Sequence, residues 1–206
     1  MELAGDFYDF IDLEGNLGLV VGDVVGKGVA ASLMMASVRA SLRAYAQDLY
    51  DLDEVIARVN ERLAADTLDS EFATLWYGVL DPNTLRLTYC NAGHDPPILV
   101  RNGEMHCLDT GGMIVGVDAG QTYDKAIFDL APGDRLLLYT DGLPDAMSFD
   151  QEKFGRGRIE QAFLEAADGS ATDIVNHMLW SMRRFTGLRR SLDDTTIVVV
   201  KVGERD

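Results

Sequence analysis

Cysteine is nearly absent from the chain, and what there is carries no pattern. Among 206 residues only Cys90 and Cys107 occur. They form neither a CxxC pair nor a Cys/His spacing, which excludes a zinc site and a disulfide framework. Both fall within apparent strands and are expected to be reduced, buried thiols. Basic charge is also scarce: 18 Lys and Arg stand against 34 Asp and Glu, a formal net charge of −16. That excess repels nucleic acid and anionic membranes, so neither is expected as a partner. The opening MELAGDF lacks a basic segment and a long apolar run, and the most apolar helical pattern is interrupted by Arg39 and Arg43. Neither a signal peptide nor a membrane span is expected, which implies a cytoplasmic protein. Repeats, low-complexity tracts and linkers are missing as well. With 47% hydrophobic and 25% charged residues, the chain has material for one sizeable core and is expected to form a single domain over 1–206.

What is present centres on Leu17 to Met35, LGLVVGDVVGKGVAASLMM, a pattern of buried strand, carboxylate, glycine turn and helix. Two phosphate-binding readings of the glycines fail on spacing. A P-loop needs GxxxxGK followed by Ser or Thr, but Gly22 to Gly26 is one residue short and Lys27 is followed by Gly28. Gly26-Lys27-Gly28-Val29-Ala30-Ala31 does fit GxGxxA, yet a dinucleotide-binding unit needs a parallel strand after the helix. Here a second helical pattern follows instead.

In chain order, Phe7–Ile11 and Leu17–Val21 read as a hairpin about Asp12-Leu13-Glu14-Gly15-Asn16. Helical spacing runs through Ala30, Leu33, Met34, Val38, Leu42 and Tyr45, then through Val55, Ile56, Val59 and Leu63 after Asp53-Glu54. Phe72–Leu80 and Leu85–Asn91 read as antiparallel partners, and Ile98–Val100 with Met105–Leu108 as a hairpin about Arg101-Asn102-Gly103-Glu104. Gly111-Gly112 and Gly116 are assigned to turns. Tyr123–Leu130 leads through Pro132-Gly133-Asp134 into Arg135–Tyr139. Ile159–Ala167 and Ala171–Phe185 are helical, and Thr195–Val202 is the last strand. This order predicts an α+β protein of antiparallel sheets with helices packed outside.

Acids recur at strand ends: Asp6 and Asp9 in GDFYDF, Asp23 after LGLVV, Asp141 after LLLYT, and Asp193-Asp194 before the last strand. An isolated Asp beside Gly is as often a turn residue, and Asp12, Asp81, Asp134 and Asp150 are assigned to turns. The strand-end acids together suit oxygen-seeking Mg²⁺ or Mn²⁺, which is held by few carboxylates per ion, so four separated aspartates suit a pair. Two such ions activate a bridging water and orient a phosphate for in-line displacement. The chain offers no persuasive protein nucleophile, which agrees with a metal-dependent phosphoester hydrolase.

Five stretches in order carry a resemblance: Gly5-Asp6-Phe7-Tyr8-Asp9, Gly22-Asp23-Val24-Val25-Gly26-Lys27-Gly28, Asn91-Ala92-Gly93-His94-Asp95-Pro96-Pro97, Tyr139-Thr140-Asp141-Gly142 and Asp193-Asp194-Thr195-Thr196. With these motifs the chain resembles the SpoIIE-type, RsbU-like branch of the PP2C (PPM) metal-dependent serine/threonine phosphatases. The resemblance implies a PP2C-like four-layer α-β-β-α sandwich, two antiparallel sheets flanked by helix pairs, with two Mn²⁺ or Mg²⁺ ions at one end. Position by position, it implies Asp23 bridging both ions, with Asp6 and the Val24 carbonyl nearer one and Asp141 and Asp193 nearer the other. Asp194 is the alternative to Asp193, and Asp9 is left to act through water or local hydrogen bonds. His94 has two readings, a general acid or a loop-pinning hydrogen bonder, and the second is the commoner for a lone histidine. Lys27 either attracts phosphate or is a solvated residue at the helix start. Val25, where a Ser is common, and Pro144-Asp145, where a Glu is usual, depart from the pattern without touching the implied ligands.

The resemblance further implies dephosphorylation of a STAS-type anti-sigma factor antagonist in bacterial stress signalling. The helix pair after the glycine loop would couple an upstream sensor or receiver domain, or homodimerisation, to metal binding. Because GDFYDF begins so close to Met1, the chain is expected to be the C-terminal catalytic fragment of a longer regulator. The alternative is a low-turnover PP2C-like regulatory module acting by partner capture.

Overall fold

The computed structural model describes residues 4–66, 71–187, 189 and 193–203. In chain order the elements are β1 (Phe7–Leu13), β2 (Asn16–Val24), α1 (Val29–Asp48), α2 (Leu52–Asp66), β3 (Ala73–Asp81) and β4 (Arg86–Ala92). They continue with β5 (Ile98–Arg101), β6 (Glu104–Cys107), β7 (Gly111–Gly112), β8 (Ala126–Asp129), β9 (Arg135–Tyr139), α3 (Gly155–Glu165), α4 (Ala171–Thr186) and β10 (Ile197–Lys201). The chain divides into two compact units, residues 1–96 with 109–130, and residues 97–108 with 131–206. Each unit is one sheet with one helix pair. No described helix is long and apolar enough to cross a membrane.

In the first unit the sheet runs β1-β2-β3-β4-β7, with β8 pairing β4. Strand β1 alternates strictly, Phe7, Asp9 and Ile11 buried and Tyr8, Phe10 and Asp12 exposed, because successive side chains point to opposite sheet faces. Phe7 and Ile11 share a core with Val38 and Leu42 of α1 and Val55, Ile56 and Val59 of α2. Those spacings bury a single stripe of each helix. Helix α2 also buries a polar residue, Asn60, whose Nδ2 donates to the Asp118 carbonyl at 2.7 Å while its Oδ1 accepts from the Gly116 N–H at 2.8 Å. Asn60→Ala leaves the buried Gly116 N–H without this acceptor, so it is expected to cost about 2 kcal/mol. The check is a lowered urea midpoint at unchanged denaturant slope.

The second unit has sheet order β10-β9-β5-β6. Its core joins Ile98, Val100, Leu137 and Tyr139 of the sheet to Ile159, Phe163, Ile174 and Met178 of α3 and α4. The β5–β6 hairpin turns at Asn102 and Gly103, both at positive φ (50° and 82°), the conformation a two-residue hairpin of this twist requires. Helix α4 starts on a reciprocal capping box between Ser170 and Asp173 and ends with Arg183 and Arg184 in its last turn, each matching the helix dipole.

Two local expectations, the turn at Gly111-Gly112 and the burial of Cys107, are corrected. Gly111-Gly112 is a short strand parallel to β4 rather than a turn: a Cβ at Gly111 would lie 1.9 Å from the Asn91 carbonyl oxygen, so only glycine permits the approach. Strands β8 and β9, adjacent in sequence, do not pair; β8 joins β4 and β9 joins β5 and β10. Cys90 is buried, and burial pushes its thiol up to about 12. Cys107 is exposed, because β6 is an edge strand, and its sulfur accepts from Arg156 Nη2 at 3.3 Å.

Candidate metal centre

Within the first unit, the β1–β2 ladder ends at the pair Phe7 and Gly22. One step beyond that pair stand Asp6 and Asp23. A Cβ placed on Gly5 would come 2.6 Å from the Val24 carbonyl oxygen and 3.2 Å from Asp23 Oδ1, so the Gly5 backbone lies close against these two oxygens. The side chains of Asp6 and Asp23 are half-buried. The closing register of this hairpin thus sets Asp6 across from Asp23, with the Val24 carbonyl and Asp23 Oδ1 both close to the Gly5 backbone.

Within the second unit, β9 and β10 pair Tyr139 with Ile197. Past that pair the Thr140 N–H donates to the Thr196 carbonyl at 3.1 Å and the Thr196 N–H to Thr140 Oγ1 at 2.9 Å. The Asp141–Gly142 turn then packs so tightly that a Cβ at Gly142 would lie 1.7 Å from the Asp194 carbonyl oxygen. Asp141 and the Asp193-Asp194 pair are therefore neighbours at one sheet end. Asp141 is exposed, its carbonyl accepts from the Asp145 N–H at 2.9 Å, and Asp193 Oδ1 accepts from the Asp194 N–H at 3.0 Å.

Each unit therefore carries oxygen donors at the strand ends where the sequence places acids. Carboxylates with a backbone carbonyl are the donor chemistry that hard divalent cations prefer, so the residues fit Mg²⁺ or Mn²⁺. Among the described residues, no group of three or more His, Cys, Asp or Glu side chains is drawn together closely enough to hold an ion by side chains alone.

Asp9 belongs to a different construction. It is 6% exposed, and Arg39 of α1 reaches it at 3.0 and 3.2 Å, with both donors of Arg43 on the same carboxylate. Burial alone raises its pKa, but the hydrogen bonds from Arg43 and Arg39 and their charges together lower it by more. Asp9 pins helix α1 to β1 through local hydrogen bonds.

His94 is likewise structural in its contacts. It is 4% exposed; its N–H donates to Asn91 Oδ1 at 2.7 Å, its carbonyl accepts from Asn91 Nδ2 at 2.9 Å, and its Nδ1 lies 2.8 Å from Thr74 Oγ1. This geometry matches the loop-pinning reading. Thr74 in turn pairs with Asp23 in the β2–β3 register, so the histidine loop braces the strand position opposite Asp23. Sequence reasoning missed Thr74 and Asn91 as supports. Asn91 had a signal, since it opens the NAGHDPP stretch. Lys27 is exposed just before α1.

The sequence model of the family described as Stage II sporulation protein E (SpoIIE) matches residues 13–203. Protein IcfG of a Synechocystis species is 31% identical over 96% of this chain and 36% of its own length. Phosphoserine phosphatase RsbU of Bacillus subtilis is 24% identical over 97% of this chain and 60% of its own. The chain thus spans about a third to three fifths of these curated relatives. Among solved structures, the RsbU and RsbW domains of Rv1364c from Mycobacterium tuberculosis are 32% identical, with a TM-score of 0.79 over 95% of this chain and 54% of that one. The SiaA PP2C domain of Pseudomonas aeruginosa, at 20% identity, has a TM-score of 0.87 over 97% of this chain and 81% of that one. These likenesses give the chain the expected PP2C-like α+β fold. With 191 consecutive positions, 13–203, inside the family match, the chain belongs to the SpoIIE family.

Proposed function

We propose that the chain is a metal-dependent protein serine/threonine phosphatase acting in the cytoplasm on a phosphorylated STAS-type anti-sigma factor antagonist. The observation that carries this reading is the placement of oxygen donors at the ends of β1–β2 and β9–β10. Family membership supports it, as do two relatives: RsbU is named a phosphoserine phosphatase, and RsbX, of the same fold, was crystallised in complex with magnesium. Asp6, Asp23 and the Val24 carbonyl hold metal in the first unit, and Asp141 with Asp193, or Asp194 in its place, in the second, for two ions in all. Bound there, Mg²⁺ or Mn²⁺ supplies polarisation of the phosphoryl oxygens and a nucleophile at neutral pH. The protein's own contribution is to orient these carboxylates, and Asn91, His94 and Thr74 keep the neighbouring backbone fixed.

The test is manganese-dependent phosphate release from p-nitrophenyl phosphate and from a panel of phosphorylated STAS proteins of the same genome. Turnover that disappears with chelator and in Asp141→Asn is expected. Absent turnover together with full partner function in Asp141→Asn would instead make the chain a binding module. Gly142→Ala is expected to lower turnover at least tenfold, because its methyl would displace the Asp194 backbone in a packed turn.

Regulation in this reading runs through α1 and α2. Helix α1 starts at Val29, just past the Asp23 loop, and is tied to β1 by Asp9. An upstream sensor or receiver domain, or homodimerisation, that shifts α1 would therefore be felt at Asp23. Basal activity of the chain alone is expected to be low and to rise with such a partner.

A further inference from the structure

Helices α3 and α4 leave a groove of about 390 Å³ on the second unit, with Phe154, Ala162 and Phe185 as its apolar lining. Trp180 borders it at 55% exposure, whereas the other tryptophan, Trp76, is fully buried. Two guanidinium groups lie on aromatic faces there: Arg158 sits 4.4 Å from the Phe185 ring centroid and Arg184 5.2 Å from that of Trp180. Arg158 also engages Glu152 at 3.4 Å and the Phe154 carbonyl at 3.1 Å. Arg184 has no carboxylate partner among the described residues. From Ile174 through Leu192 the sequence carries Arg183, Arg184, Arg189 and Arg190 and not one Asp or Glu. In a chain of net charge −16 this is a reversal of sign along the sequence, and Arg184 is its member at the groove. Glu165 lines the groove too and lies 3.5 Å from His177, so the positive character is polarised toward Arg184.

We propose that the α3–α4 groove docks an acidic segment of a partner protein, with an apolar side chain seated between Phe185 and Trp180 and carboxylates meeting Arg184. Charge complementarity selects this occupant: Arg184 and Arg158 line a groove whose single acidic lining residue is Glu165, in a chain whose net charge otherwise disfavours acidic partners. An aromatic with an adjacent arginine is the pairing that dominates protein-recognition sites. A flat anionic membrane is disfavoured because the overall charge repels it and the apolar surface is concave. The inference does not depend on the phosphatase reading.

Trp180 supplies the readout, since the only other tryptophan, Trp76, is fully buried in the first unit. The whole chain is titrated with a short synthetic peptide of Glu and Asp around a central Leu-Phe pair, and with its Gln and Asn counterpart. A saturable blue shift of Trp180 emission with the acidic peptide is expected, weakening as salt is raised. Arg184→Glu is expected to weaken binding at least tenfold with an unchanged far-ultraviolet circular dichroism spectrum. Trp180→Ala, followed by anisotropy of labelled peptide, is expected to weaken it likewise. Equal binding of the neutral peptide, unaltered binding by Arg184→Glu, or a response to phosphatidylserine vesicles without one to the peptide would each overturn the proposal.

Discussion

Asp23→Asn is expected to reduce metal-dependent phosphate release at least about a hundredfold. Substitutions of groups that only support a metal ligand already cost 10- to 100-fold in affinity or activity, and Asp23 is proposed as a ligand itself. The amide keeps the shape of the side chain but removes its charge, so it weakens attraction for a divalent cation without creating a cavity. Asp23 is half-buried near the end of β2, where its neighbours across the sheet, Thr74 and the Gly5 backbone, hold it in place. The variant should therefore fold normally. Phosphate release at saturating and at limiting manganese, with thermal melting as the folding control, checks the prediction. Retained turnover in a folded Asp23→Asn protein would remove this residue from the metal site.

Asp9→Ala is the substitution expected to cost the most stability, about 3 kcal/mol. Removing one partner of a buried ion pair costs roughly 3–5 kcal/mol, and the low end applies because Arg39 and Arg43 are 47% exposed and regain water. For a chain of this size that corresponds to a melting temperature lower by roughly 10 °C. The same contact dictates a pH dependence. Since the Asp9 pKa is lowered in the folded state, the unfolded chain binds the proton first as pH falls. The stabilisation is complete above the unfolded value of about 3.9 and is lost as pH drops through the lower folded value. Wild-type stability should thus fall more steeply than that of Asp9→Ala below about pH 4, as denaturant titrations at successive pH values would register. Functionally, Asp9→Ala frees α1 from β1, so altered dependence on an upstream partner is expected to accompany the lost stability.

Elements with strong local signals were legible before any coordinates. The hairpin at Glu14-Gly15, the apolar stripes of α1 and α2, the β5–β6 turn at Asn102-Gly103 and the last strand all follow from periodicity and turn chemistry that act over a few residues. Misreadings came where a distant partner decided. Gly111-Gly112 had the composition of a turn, but the Asn91 backbone recruits it as a strand. Asp134 has the setting of a turn acid and does accept from the Ala131 N–H, but it is also 2% exposed and binds Arg101 of β5, a partner that turn composition does not announce. Cys107 had a strand's sequence and an edge strand's exposure.

The acids show the same division. That Asp6, Asp23, Asp141 and Asp193 lie at or beside the ends of apolar runs is written in the sequence. By itself the sequence determined the kinds of donor, the cation class they suit and the strands that carry them. Tertiary structure decided which acids share a strand end. The β1–β2 register sets Asp6 across from Asp23, the packed turn at Gly142 sets Asp141 near the Asp194 backbone, and Asp9, three residues after Asp6, is given to Arg39 and Arg43. Register is a property of two segments together, and no single stretch of chain contains it.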